Sequence, residues 1–216
     1  MVEVKFCGLT RAVDAAKAAE LGAAYAGAIF AHGPRLLDAP KAREMFAGLG
    51  GAPVRKVGVF ASRSPEDVLR IADASGVHVL QLHDGATPDA VLTFRGEFQG
   101  EIWVVLKVAD GIVEALHDEV IDAADAVVLD TAVGGRSGGT GVAFDWAAAV
   151  PAVQAIATRK RVVLAGGLRP GNVSEAVRTL APSVVDVSSG VESAPGIKDH
   201  GLMQAFALAA RLREGR

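Results

Sequence analysis

Residues 2–30 have the sequence VEVKFCGLTRAVDAAKAAELGAAYAGAIF and contain the pattern that decides the fold. The first six of these residues are mainly apolar and predict a short strand. The alanine-rich segment 11–21 predicts a helix, with Thr10 as its N-cap and Gly22 as its end. Segment 24–30 is again apolar and predicts a second strand. The stretch therefore predicts one strand–helix–strand unit of a parallel sheet.

The same unit recurs along the whole chain. Strands are predicted at 2–7, 24–30, 54–60, 77–82, 102–108, 126–130, 161–165 and 184–187. Helices are predicted at 11–21, 38–49, 111–122, 144–157 and 198–212, and from about 64, 87 and 170. Apolar strands that each precede a helix favour parallel pairing with both faces of the sheet buried.

Eight such units in 216 residues give two candidate folds, an open doubly wound sheet and a closed barrel. The open sheet would need a Gly-x-Gly-x-x-Gly turn after an early strand, and segment 7–10, CGLT, does not supply one. We therefore predict an α/β chain folded as a single (β/α)8 TIM barrel over residues 1–216.

The composition argues against several classes of protein. Half of the residues are hydrophobic and the formal net charge is −3, which gives no electrostatic footprint for nucleic acid. Apolar runs are too short to span a bilayer, so no membrane partner is expected. One cysteine and five histidines without ligand spacing predict no metal site. We expect a soluble, cytoplasmic protein, and a homo-oligomer is compatible with the sequence.

Functional residues of a barrel lie at the C-terminal ends of its strands. The polar or reactive residues at these ends are Cys7, Arg35, Gln81, His83, Lys107, Asp130, Gly166, Gly167, Ser188, Ser189 and Gly190. Gly166 and Gly167 follow the seventh strand, and Ser189 and Gly190 follow the eighth. Barrels often bind phosphate in these two loops through backbone N–H groups. The sequence thus predicts a phosphate site, with two ligand-free turns as the alternative.

Cys7 and Asp130 are candidates for acid–base chemistry on a sugar phosphate. A lone cysteine is usually a core residue, but Cys7 lies at a strand end, where nearby cations would lower its pKa. Lys5 shares its face of the strand. We predict a Lys5–Asp186 pair inside the barrel, below the site, with outward-facing side chains as the alternative.

Four further residues are candidates for the site, and three of them have two interpretations each. Arg35 is either a clamp for a carboxylate or a surface arginine. Gln81 and His83 are predicted to donate and accept hydrogen bonds at the mouth, although His83 is also a candidate proton carrier. Lys107 is either a Schiff-base lysine or a solvated or ion-paired one, and we favour the second interpretation.

The glycine-dense segment 134–141 follows Asp130. Its residues Gly138, Gly139, Thr140 and Gly141 are predicted to form a lid that closes over Asp130 and excludes water. A flexible connector without a ligand is the alternative.

The chain resembles the phosphoribosylanthranilate isomerase family of tryptophan biosynthesis. The motifs that carry the resemblance are 4–11 VKFCGLTR, 57–60 VGVF, 81–83 QLH, 129–131 LDT, 138–141 GGTG, 144–146 FDW, 165–170 AGGLRP, 172–173 NV, 186–192 DVSSGVE and 195–199 PGIKD. They occur in order along essentially the whole chain. Two departures are 31–33, AHG, before Pro34-Arg35, and Asp84 after His83, where glycine is common in the family.

The resemblance implies a cofactor-free Amadori rearrangement of N-(5-phosphoribosyl)anthranilate. It implies Asp130 as the general acid, Cys7 as the general base and Arg35 as the partner of the anthranilate carboxylate. The loops with Gly166 and Ser189 match the family's phosphate site. Alternatives are another sugar-phosphate isomerase, epimerase or aldolase, an oxidoreductase that binds FMN at the phosphate site, and a non-catalytic binding barrel.

Overall fold

A computed structural model describes residues 1–84, 86–109, 112–113, 118–133, 136–137 and 145–212. Within these residues the principal strands are β1 Glu3–Phe6, β2 Tyr25–Ile29, β3 Arg55–Phe60, β4 Val79–Leu82, β5 Glu101–Ala109, β6 Ala126–Val133, β7 Arg161–Leu164 and β8 Val184–Val187. The helices are α1 Ala12–Glu20, α2 Ala39–Ala47, α3 Pro65–Ser75, α4 Pro88–Glu97, α5 Asp118–Ala123, α6 Trp146–Ala157, α7 Val173–Leu180 and α8 His200–Arg211.

The principal strands form a closed parallel barrel. Each strand pairs with the next one in the chain, and β8 pairs with β1 through the register Lys5↔Asp186. The closure leaves no open edge between the first and last strands. The predicted (β/α)8 barrel is confirmed.

Four local predictions need correction. The N-cap of α1 is Arg11, and the Thr10 hydroxyl instead donates a hydrogen bond to the carbonyl of Gly196 at 2.5 Å. Strand β6 continues three residues past Asp130. Residues predicted to open the fifth helix, Ile112–Val113, form a short strand antiparallel to the end of β5. Tertiary pairing has overridden local helix propensity at this point.

The last correction concerns the segment before α8. Residues Glu192–Ala194 pair antiparallel with Ile197–Lys198 in a short hairpin. Helix α8 begins after it at His200, with Asp199 as the N-cap. The hairpin folds back over the barrel mouth region, because Gly196 in its turn accepts the hydrogen bond from Thr10.

The core has two layers. The larger layer lies between the strands and the surrounding helices and includes Phe6, Leu80 and Phe206. The smaller layer fills the barrel interior and is built around Tyr25 and Trp103, whose ring centroids lie 4.8 Å apart. Side chains fill the barrel below the mouth, so ligand chemistry is confined to the strand C-termini. In the part of the chain described, none of the helices has the length and apolarity needed to cross a membrane.

Candidate active site

A cavity of about 590 Å³ opens at the C-terminal end of the barrel. The predicted site residues that line it are Cys7, Arg35, Gln81, His83, Asp130, Gly166, Gly167, Ser189 and Gly190. The fold therefore brings these nine residues, which come from six loops and strand ends, into one cavity. The predicted lid residues Gly138, Gly139, Thr140 and Gly141 lie outside the described residues.

Cys7 lies at the C-terminal end of β1 and lines this cavity. Its backbone N–H donates to the Val187 carbonyl at 2.9 Å. A Cβ atom at Gly27 would lie 3.0 Å from the Cys7 sulfur, so glycine leaves the thiol its space. Burial raises the pKa of the Cys7 thiol, and this outweighs the opposing effect of the Lys5 ammonium. The expected lowering of the thiol pKa by nearby cations is present, but desolvation disfavours the thiolate more strongly, so the net shift is upward.

The predicted Lys5–Asp186 pair is confirmed. Lys5 Nζ lies 2.7 Å from Asp186 Oδ2, and Lys5 is fully buried directly below Cys7. Burial lowers the pKa of Lys5, but the Asp186 carboxylate reverses this and the net shift is upward. The charge is therefore retained inside the barrel. Asp186 Oδ1 has no hydrogen-bond partner among the described residues, and Asp186 also lines the cavity.

Asp130 faces the same cavity from β6 and is 9% exposed. Burial raises its pKa, and the nearby His83 ring opposes that shift. His83 Nδ1 lies 4.0 Å from Asp130 Oδ2, which is beyond hydrogen-bond distance. A carboxyl group with a raised pKa retains its proton closer to neutral pH, as a general acid requires.

Unpaired buried polar atoms cluster at the mouth. Within the described residues, Gln81 Oε1, Thr131 Oγ1, Asp186 Oδ1 and Ser188 Oγ have no hydrogen-bond partner. Three of these residues, Gln81, Asp186 and Ser188, line the cavity. A buried polar group without a partner is costly, so these atoms mark positions for a ligand or water to complete.

Two glycine turns form one wall of the cavity. Gly166 has φ +82°, and a Cβ atom there would lie 2.2 Å from Thr131 Oγ1. A Cβ atom at Gly190 would lie 1.9 Å from the Leu168 carbonyl oxygen. Both positions therefore require glycine. Ser189 and Gly190 open a short 3₁₀ helix, whose first N–H groups have no partner within the helix and are available to an anion.

Arg35 lines the cavity and is held by a carboxylate from the hairpin. Arg35 Nε and Nη2 donate to the two oxygens of Glu192 at 2.8 and 2.6 Å. Glu192 also accepts from Lys198 Nζ at 2.8 Å. Sequence reasoning missed both partners, because the hairpin that places them was not predicted.

Lys107 forms an ion pair with Asp84, with Nζ 2.9 Å from Oδ1. The favoured interpretation of Lys107 as an ion-paired lysine is confirmed. A Schiff-base lysine needs a neutral amine, and a neighbouring carboxylate stabilises the ammonium form instead. The unusual Asp84 is therefore the partner of Lys107 at the mouth.

A second, larger groove of about 750 Å³ lies at the opposite end of the barrel. It is lined by residues from the end of α3 and from the loop after α4, including Asp73, His78 and Phe98. None of the predicted site residues described by the structure lines it. The chemistry is therefore assigned to the smaller cavity at the strand C-termini.

A buried thiol and a desolvated carboxyl group at the mouth of a closed barrel define a (β/α)8-barrel enzyme. The profile of the family described as "PRAI: N-(5'phosphoribosyl)anthranilate (PRA) isomerase" matches residues 4–209. This chain belongs to that family.

Individual relatives agree with the family match. The N-(5'-phosphoribosyl)anthranilate isomerase of Pseudomonas fluorescens (strain SBW25) is 38% identical over 215 residues, 99% of this chain and 98% of the relative. Phosphoribosyl anthranilate isomerase from Thermus thermophilus has a similar structure, with a TM-score of 0.81 and 34% identity over 96% of this chain and 98% of that one. A further isomerase structure, in complex with reduced 1-(o-carboxyphenylamino)-1-deoxyribulose 5-phosphate, has a TM-score of 0.79 at 29% identity, covering 98% and 99% of the two chains.

Proposed function

We propose that this chain converts N-(5'-phosphoribosyl)anthranilate to 1-(2-carboxyphenylamino)-1-deoxyribulose 5-phosphate in tryptophan biosynthesis. The observation that carries the mechanism is that Asp130, with its raised pKa, and Cys7 line one cavity. An aldose-to-ketose rearrangement needs both an acid and a base, and Asp130 and Cys7 are groups that can supply them. The biosynthetic role supports a cytoplasmic location, and no redox cofactor is needed because no net oxidation occurs.

The reaction begins at the sugar ring. The Asp130 carboxyl group donates its proton to the furanose ring oxygen, the bond from this oxygen to C1 breaks, and the nitrogen lone pair forms a Schiff base at C1. Cys7 then takes the proton from C2, which gives an enolamine. This species gains a proton at C1 and loses the proton of its C2 hydroxyl group, which gives the ketone, an isomer of the substrate. Cys7 then releases its proton to solvent and Asp130 regains one, which restores the enzyme.

Burial favours one of the two protonation states that the reaction needs and opposes the other. Cys7 must be a thiolate, yet burial raises its pKa. Asp130 must be protonated, and its pKa is raised as well. Only a minor fraction of the free enzyme therefore has both groups in the reactive form at once. Lys5 lies below Cys7 and lowers the thiol pKa, so it enlarges that fraction.

The remaining residues bind the substrate. The turns with Gly166, Gly167, Ser189 and Gly190 hold the phosphate through backbone N–H groups. Gln81 and His83 form hydrogen bonds with the sugar, and Arg35 binds the anthranilate carboxylate. The segment with Gly138, Gly139, Thr140 and Gly141 acts as the lid that excludes water from Asp130.

The decisive assay follows the anthranilate-type fluorescence of the substrate, which changes when the sugar rearranges. Purified protein with freshly made N-(5'-phosphoribosyl)anthranilate is expected to accelerate the fluorescence loss, and chromatography is expected to yield the ketose product. The Asp130→Asn variant serves as the control for a contaminating isomerase. No acceleration above that control, with folded protein, would refute the proposed activity. A yellow protein that binds FMN would favour the oxidoreductase instead.

A further inference from the structure

The hairpin after β8 places the carboxylate of Glu192 against Arg35, the residue predicted to bind a carboxylate of the ligand. Arg35 is engaged on one edge only, because Nε and Nη2 donate to Glu192. A guanidinium has five N–H donors in a fixed planar fork. The opposite edge, formed by Nη1 and the second hydrogen of Nη2, has no hydrogen-bond partner among the described residues and belongs to a side chain that lines the cavity. That edge fits a second carboxylate bidentately.

Glu192 is itself held in place. Lys198 Nζ donates to Glu192 at 2.8 Å and to the Ser188 carbonyl at 3.0 Å, and the Lys198 side chain is completely buried. Burial works against ionisation of Glu192, but hydrogen bonds from Arg35 and Lys198 hold its pKa below the ordinary value. The side chain of Glu192 is only 5% exposed. Arg35 therefore rests on an ionised, immobilised carboxylate.

The local backbone also fits this arrangement. Gly8 has φ +65°, and a Cβ atom there would lie 2.6 Å from Arg35 Cδ. Any larger residue would displace the arginine stem from its path to Glu192. The ion pair thus joins the loop after β2 to the hairpin after β8, across the turn that follows β1.

We propose that Glu192 is a positioning residue that sets specificity for the carboxylate of the substrate, by fixing the free edge of Arg35 toward the cavity. The inference rests on the proposed function, since it takes the anthranilate carboxylate as the ligand of Arg35. Lys198 supports Glu192 and links this subsite to the Ser188 turn of the proposed phosphate site.

A rival role for Glu192 predicts the opposite sign. If Glu192 competed with the substrate carboxylate for Arg35, its removal would free the arginine and add positive charge to the cavity wall. Binding of a carboxylated ligand would then become tighter. If Glu192 positions Arg35, its removal frees the guanidinium to rotate, and binding becomes weaker because the preorganised fork is lost.

The test compares two stable ligands that differ only in the carboxyl group. One is reduced 1-(o-carboxyphenylamino)-1-deoxyribulose 5-phosphate, and the other is its phenylamino counterpart without the carboxyl group. Calorimetry would measure Kd of both ligands for the wild type, Glu192→Gln and Ser193→Ala. Ser193 is an exposed neighbour in the same hairpin and is the matched control. Glu192→Asp serves if the glutamine variant does not fold.

Glu192→Gln is expected to weaken the carboxylated ligand about tenfold and the other ligand less than about twofold. Ser193→Ala is expected to change neither. In an Arg35→Gln background, Glu192→Gln should have no further effect on the carboxylated ligand. Equal weakening of both ligands would overturn the inference in favour of a purely structural role, and tighter binding would overturn it in favour of competition. Failure of the wild type to bind either ligand would instead refute the proposed function.

Discussion

Both ends of the barrel interior carry charged side chains, but the two ends differ in how far these side chains form ion pairs and hydrogen bonds. At the N-terminal end, the odd-numbered strands contribute Glu3, Arg55, Glu101 and Arg161. Glu3 pairs with Arg161, and Arg55 pairs with Glu101. Arg161 also donates to the Tyr25 hydroxyl at 2.9 Å, and Trp103 Nε1 donates to Glu101 at 2.7 Å.

The C-terminal end also contains ion pairs, such as Lys107 with Asp84, but several of its buried polar groups have no such partner within the described residues. Asp130 lacks a hydrogen-bonded cation, with His83 at 4.0 Å. Gln81 Oε1, Asp186 Oδ1 and Ser188 Oγ lack partners in the described part of the chain. Charges at the N-terminal end neutralise one another and close the barrel, whereas Asp130 and these unpaired polar atoms at the mouth are left for a ligand. The comparison predicts that substitutions at the N-terminal end cost stability and substitutions at the mouth cost activity.

The largest effect is expected from the proposed acid and base. Asp130→Asn and Cys7→Ala should each lower kcat by about 10²–10⁴-fold, since general acid–base groups contribute roughly that factor. Neither should lower the melting temperature appreciably, because Asp130 carries a desolvated carboxyl group that its burial does not favour. Steady-state fluorescence kinetics and thermal melts would measure both quantities. Near-normal turnover in both variants would contradict the mechanism.

Lys5→Met tests the Lys5–Asp186 ion pair, which lies between the two ends. It leaves the Asp186 carboxylate buried without its cation, which should cost about 3–5 kcal/mol of unfolding free energy. It also removes the cation that lowers the Cys7 pKa, so the thiol pKa should rise further. Cys7 is the sole cysteine of the chain, so thiolate absorbance titrates it directly. An unchanged thiol titration in a folded variant would show that Lys5 does not act on Cys7.

The pH profile of kcat/KM is expected to fall at both low and high pH, with inflections set by Asp130 and Cys7. At low pH, once Asp130 is fully protonated, activity is expected to fall because the Cys7 thiolate is still being lost. The low-pH inflection therefore lies at the raised pKa of Asp130. At high pH, once Cys7 is fully ionised, activity should fall because Asp130 continues to lose its remaining protons. The high-pH inflection therefore lies at the raised pKa of Cys7. A high-pH inflection below the ordinary pKa of a thiol would contradict the upward shift of the Cys7 pKa.

Much of this arrangement was predictable from the sequence, for physical reasons. Apolar strand periodicity fixed the barrel, and strand alternation placed Lys5 and Asp186 on inward faces, where closure pairs them. The glycines at 166 and 190 marked positions where backbone and side chains approach too closely for a Cβ atom.

The unpredicted parts depend on tertiary contacts. Segment 192–198 has no strong strand pattern, so neither its hairpin nor the Glu192 contact with Arg35 was foreseen. The direction of the Cys7 pKa shift was also missed, because it depends on how completely the thiol is buried. Sequence spacing identifies which cations are near but not how much water is excluded.

At the N-terminal end, Glu101→Leu is expected to destabilise the protein by about 1–3 kcal/mol, because the fully buried Trp103 indole N–H loses its acceptor. Arg55 loses its partner in the same variant. The kcat should stay within about twofold of the wild type, since the change lies below the filled barrel interior. Chemical denaturation and steady-state kinetics would measure the two effects. A large loss of kcat without destabilisation would contradict the expectation that the N-terminal end serves stability and the mouth serves activity.

The smallest expected effects come from removing one hydroxyl group at each end. Tyr25→Phe removes the acceptor of Arg161 and should cost about 0.5–1.5 kcal/mol of unfolding free energy, with KM unchanged. Ser188→Ala removes an Oγ atom that has no described partner, so stability should change by less than about 0.5 kcal/mol while KM rises. Denaturation curves and KM values for both variants form a matched pair. If Ser188→Ala cost stability and left KM unchanged, the hydroxyl would serve the fold, and the unpaired atoms at the mouth would no longer mark ligand positions.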